Sequence, residues 1–121
     1  MAKLFQSGGG GGGGITAFVA ETITSGGTIS SSNSGQQYRP IQSNGGAVSA
    51  SLTPFGTAGD WATGTYITLK GESATNTVQL THNDAQYGAI LNGNMVLGLN
   101  DIINLIYDAD LERWVEVGRN N

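Results

Sequence analysis

Apolar and polar residues alternate along much of this chain, and the alternation predicts strands. Ile67 and Leu69 fall on one face of Tyr66–Lys70, and Val78 and Leu80 alternate with Thr77, Gln79 and Thr81. Val48, Ala50 and Leu52 alternate with Ser49, Ser51 and Thr53. A period of two is the mark of a half-buried strand. The segment Asp101–Tyr107 is apolar on both faces apart from Asn104, which predicts a central strand, and Glu112–Arg119 returns after an Asp108-Ala109-Asp110 turn. Shorter β-prone runs are Ile15–Ala20, Glu21–Thr24, Thr28–Ser30, Ala89–Leu91 and Met95–Leu97. Gln37–Gln42 reads as an edge strand, because Pro40 cannot donate to a ladder on both sides.

Turn chemistry separates these runs. Ser25-Gly26-Gly27 and Asn92-Gly93-Asn94 read as turns, and Asn44-Gly45-Gly46 as a strong hairpin turn. Pro54–Gly64 is a loop with two aromatic anchors, Phe55 and Trp61. No long apolar pattern of period 3.6 occurs. About ten short strands in residues 15–121 predict one all-β domain, an antiparallel sandwich, jelly roll or small barrel.

Composition changes the picture at the N-terminus. Seven consecutive glycines, Gly8 to Gly14, follow Met1–Ser7 and its apolar pair Leu4 and Phe5. Such a tract behaves as a tether, so residues 1–14 are expected to form an arm whose Leu4–Phe5 tip docks on another subunit. Twenty glycines in 121 residues, with only 38% hydrophobic residues, predict a thin core that gains stability from partner subunits. Charged residues make up 12% and the net charge is −4. No Lys/Arg cluster exists, so direct nucleic-acid binding is not expected. The absence of Cys excludes disulfides and thiolate metal sites. No apolar run reaches the ~18 residues of a membrane helix. Met1–Ser7 lacks the apolar stretch of a secretion signal, which predicts synthesis and use without export by the usual route.

The candidate chemistry is sparse. The glycine tract has no Gly-Lys-Ser/Thr ending for a phosphate loop. His82 is the single histidine and has no second His or Cys to complete a zinc set. Asp101, Asp108, Asp110, Glu112 and Glu116 cluster near the C-terminus. Turn chemistry accounts for Asp108 and Asp110, with a calcium site as the alternative. Trp61, Tyr66, Tyr87, Tyr107 and Trp114 are either core and subunit-interface residues or an aromatic platform for sugars. Ile106 belongs with the core and interface set. The expectation is a non-enzymatic protein with no cofactor and no metal.

The stretch Gly59–Arg119 resembles a β-structured domain of bacteriophage virion proteins. The resemblance is carried by Tyr66–Gly71, Asn76–Leu80, Leu91-Asn92-Gly93, Asp101–Asp108 and Trp114–Arg119. It implies a homotrimeric capsid decoration, or cement, protein on the virion surface, made in the host cytoplasm. Its partner would be the major capsid protein, with Leu4, Phe5 and the Gly8–Gly14 leash as the capsid-contact arm. The alternative it implies is a receptor- or glycan-binding head of a tail fibre or spike.

Overall fold

The computed structural model describes residues 19–121. The arm residues Leu4, Phe5, Gly8 and Gly14, and the start of the run at Ile15, lie outside the described residues. Within them are nine strands: β1 (Glu21–Ile23), β2 (Gln36–Ser43), β3 (Val48–Ser49), β4 (Tyr66–Gly71), β5 (Val78–Leu80), β6 (Ala89–Ile90), β7 (Met95–Leu97), β8 (Ile102–Asp108) and β9 (Arg113–Asn120). The fold is all-β. Six strands form one sheet in the order β1-β2-β4-β8-β9-β6, and three form a second in the order β3-β5-β7.

The pairing is mixed rather than antiparallel throughout. β1–β2, β2–β4, β3–β5 and β6–β9 are parallel, whereas β4–β8, β5–β7 and β8–β9 are antiparallel. The cause is a chain that switches sheets instead of folding back beside itself. It runs through β2 in the large sheet, β3 in the small one, β4 in the large one and β5 in the small one. Each pass therefore lays a strand parallel to the one before, as crossover connections require. Asn44-Gly45-Gly46 is accordingly a corner between the sheets and not a hairpin. Gly46 has φ 64°, a backbone state that glycine reaches without penalty, and its N–H donates to Asn76 Oδ1 at 3.0 Å. Asn76 sits at the matching corner one pass later, where its C=O accepts from Ser43 N.

After β5 the direction reverses, and β7 and β8 close the stack by running antiparallel to β5 and β4. That reversal needs a close approach at Gly71. A Cβ there would lie 2.0 Å from the Gly98 carbonyl oxygen, so the Gly98–Asp101 turn can cross β4 only over glycine.

The two sheets share one core. Ile41, Ile67, Leu69, Ile103 and Leu105 of the large sheet are fully buried, and Val78, Leu80, Met95 and Leu97 of the small sheet are at most 1% exposed. The central strand expected at Asp101–Tyr107 is β8, flanked by β4 and β9. Two expectations from the alternation are corrected. β2 is not an edge strand. It lies between β1 and β4, and Pro40 fits because β1 begins to pair only at Ile41. Leu52 is not a strand residue. The strand ends at Ser49, Ser51 Oγ accepts from Thr53 N, and Leu52 is 55% exposed in the resulting loop.

Candidate functional site

The residues singled out from the sequence divide into two groups. Trp61, Tyr107 and Trp114 lie in the core. Tyr107 and Trp114 are cross-strand partners on β8 and β9, and their ring centroids lie 5.1 Å apart. Trp61 comes from the Pro54–Gly64 loop and meets Tyr107 at 5.2 Å and Trp114 at 5.3 Å, with Phe55 against Trp114 at 4.5 Å. These rings are offset or edge-on, the arrangements that aromatic quadrupoles favour. Burial, with the negative charge of Tyr87, Glu112, Asp60 and Asp108 behind it, pushes the Tyr107 hydroxyl above its ordinary range. Three of the five rings proposed for a sugar platform are thus turned inward. Tyr87 packs on Trp61 at 6.1 Å, held by its backbone N–H to the Glu112 carbonyl.

Tyr66 and Ile106 belong to the other group. They are register partners on β4 and β8, half-buried, and on the opposite side of their strands from buried Ile67 and Leu105. The register continues through Val115 of β9 to Ile90 of β6. Tyr66, Ile106, Val115 and Ile90 therefore form one apolar row across the outer face of the large sheet. The next row is Tyr38, Thr68, Asn104 and Gly118, in which Thr68 Oγ1 donates to Asn104 Oδ1 at 2.7 Å. The third is Pro40, Lys70, Ile102 and Asn120. Charges stand only at the margins. Lys70 pairs with Glu72 at one end, and Asp108 and Arg113 face each other at the other. An apolar row bounded by polar and charged residues has the core-and-rim composition of a subunit contact.

The face ends at an irregular edge. A bulge between Asn104 and Leu105 leaves Val117 as an extra residue, 57% exposed. Beside it, Arg119 makes a two-pronged bond to the Glu116 carboxylate, Nε to Oε2 at 2.8 Å and Nη2 to Oε1 at 2.7 Å. Arg119 Nη2 also donates to the Gly93 carbonyl, and Asn92 N donates to Glu116 Oε1. The guanidinium bond holds the Glu116 carboxyl below the usual range, against the opposing effect of burial.

The remaining candidates have structural partners. His82 Nδ1 accepts from Leu91 N at 3.0 Å. Asp108 Oδ1 accepts from Asp110 N and Leu111 N, which is the turn role expected of it. Asp101 Oδ2 accepts from Gly98 N in the turn over Gly71. Among the described residues no group of three or more His, Cys, Asp or Glu side chains is placed to hold a metal ion. Sequence reasoning had named Tyr66 and Ile106 but not Val115, Ile90 or Val117. Only the register joins Val115 and Ile90 to Tyr66 and Ile106 in a row. No family model, curated protein or solved structure matches this chain.

Proposed function

We propose that this chain is a non-enzymatic structural component of a virus particle, a capsid decoration protein that binds the assembled shell as a homotrimer. The observation that supports this reading best is the outer face of the six-stranded sheet. It carries Tyr66, Ile106, Val115 and Ile90 in one uncharged row, between the Asp108–Arg113 pair and the polar Thr68–Asn104 row. A free sheet face of this composition gains roughly 25 cal/mol for each Å² of apolar surface removed from water. Three copies held together also make successive contacts with a shell effectively intramolecular, so individually weak contacts bind tightly to an assembled lattice. The setting is what the resemblance of Gly59–Arg119 to virion β-domains, read from the sequence alone, implies. The inward rings of Trp61, Tyr107 and Trp114 leave the glycan-binding alternative fewer aromatics to work with.

The test has two arms. Sedimentation of the full chain should give a trimer, and Ile106→Lys, which changes an outward side chain, should keep the β spectrum while lowering the sedimenting mass. In purified particles, the copy number of this chain should be comparable to that of the major capsid protein. A full chain that stays monomeric and is absent from particles, or present in only a few copies at one vertex, refutes the decoration reading.

A further inference from the structure

We propose that the uncovered edge of β9 is the docking site for the Leu4–Phe5 segment of a second copy of this chain; the inference rests on the assembly reading and names the recipient of the arm. β9 pairs with β8 along its whole length, Arg113 to Asn120, but β6 covers its other edge only at Trp114 and Val115. From Glu116 onward no strand among the described residues pairs with that edge. β6 stops because the chain leaves through the Asn92–Asn94 turn, fixed by Asn92 N on Glu116 and by Arg119 on Gly93. The turn, the strand edge and the bulge enclose a shallow depression of ≈ 420 Å³ lined by Ile90, Leu91, Val115, Val117 and Gly118 together with the Glu116–Arg119 pair.

The chemistry of this depression selects its guest. Its two charges neutralise each other through a two-pronged bond, so it offers nothing to an ion. What remains is aliphatic surface beside a stretch of β9 that pairs with no second strand among the described residues. A Cβ on Gly118 would meet nothing within 4 Å, so the sheet face at Gly118 is open to a neighbouring side chain. Such a site suits an extended, uncharged segment that adds main-chain bonds to the edge and seats an apolar side chain.

The chain carries a segment of that chemistry ahead of Val19, Leu4–Phe5 followed by seven glycines. The two ends lie toward opposite sides of the large sheet, and the assembly reading, not reach, assigns the recipient edge to a second copy. Val19 leads into β1, at one edge of the large sheet, whereas β9 lies four strand spacings away, roughly 19 Å. Donor and acceptor on opposite edges make a head-to-tail contact, the kind from which closed rings such as trimers are built. Fourteen residues span at most about 50 Å, enough to reach the β9 edge of a neighbour.

The experiment is complementation between two variants. One carries Leu4→Asp and Phe5→Asp, which alter no described residue. The other carries Val117→Lys at an exposed position of the depression. In sedimentation velocity each variant alone should lose the trimer, and an equimolar mixture should regain association, because an intact arm then meets an intact depression. Trimers that persist in both variants, or a mixture that fails to associate, overturn the docking site and leave the shell reading standing. A full chain that is monomeric at every concentration overturns both. Arm-dependent association in a chain absent from particles overturns the shell reading alone.

Discussion

The two tryptophans offer a test in which the same substitution should have different costs for a reason visible in the structure. Trp114 is 0% exposed and its Nε1 has no hydrogen-bond partner among the described residues. Trp61 is 4% exposed, and its Nε1 donates to Ser31 Oγ at 3.0 Å. Replacing either by Phe removes a similar apolar volume from the same ring cluster, so the cavity costs are comparable. The difference then comes from the N–H. At Trp61 a net bond worth about 0.5–1.5 kcal/mol is lost. At Trp114 the substitution removes a buried, unsatisfied donor, whose desolvation costs about 1–3 kcal/mol, and so recovers part of that penalty. Trp61→Phe should therefore destabilise by about 2 kcal/mol more than Trp114→Phe. Trp114→Ala is a different matter. It removes ring contacts at 4.5, 5.1 and 5.3 Å and leaves a cavity, at a cost of about 3–5 kcal/mol. That is a large part of the ~5–15 kcal/mol that holds a domain folded. Urea denaturation followed by circular dichroism reads all three variants with one probe. With a slope of about 2 kcal/mol per molar, the two Phe variants should differ by about 1 M in midpoint. A Trp114→Phe midpoint equal to or below that of Trp61→Phe would refute the argument that the unpaired N–H is a burden.

Two further outcomes follow from local geometry. Gly71→Ala should cost about 3 kcal/mol or more in the same assay, since its Cβ would meet the Gly98 carbonyl oxygen at 2.0 Å, whereas Gly118→Ala, with open space around it, should change stability by less than ~0.5 kcal/mol; equal costs would contradict the crossing over Gly71. Glu116→Gln should remove a pH-dependent share of stability: the Arg119 bond lowers the native carboxyl below the ~4.3 of an unfolded Glu, so its contribution is complete above about pH 5 and is lost as pH falls through the native value. Wild type and variant should thus differ at pH 7 and converge in acid, and a gap that widened on acidification would reverse the sign and sink the assignment.

The strands themselves were legible because an alternation needs only local sequence. Ile67, Leu69, Val78 and Leu80 all point into the core as their period requires. Partnership was not legible, and the corner at Asn44–Gly46 shows why. An Asn-Gly-Gly stretch supplies a positive φ wherever the chain turns sharply, and says nothing about which sheet receives the next strand. The corner is tied to a long-range partner, Asn76, thirty positions downstream of Gly46, whose side chain accepts from the Gly46 N–H. Pro40 misled for the same reason. A missing donor forbids pairing at one residue on one flank, not along a strand, and β1 simply starts one position later.

The candidate surface divides along the same line. The Asp101–Tyr107 segment reads as apolar on both faces, and a strand buried between two layers explains such a pattern as well as an assembly surface does. The distinction lies in the partners of its outward residues. Ile106 meets Tyr66 on one side and Val115 on the other, and all three are half-buried. Inward, Leu105 and Tyr107 are buried by the small sheet and the aromatic loop. An outward Ile on a central strand would be an ordinary exposed hydrophobe if it stood alone. Four in register are different, because their areas are contiguous and a single approaching surface can desolvate all of them together. A lysine at Ile106 breaks that contiguity in the middle, so it should weaken association more than a lysine at Tyr66, which ends the row on the side away from the β9 depression. Equal effects at the two positions would mean that the row does not act as one surface.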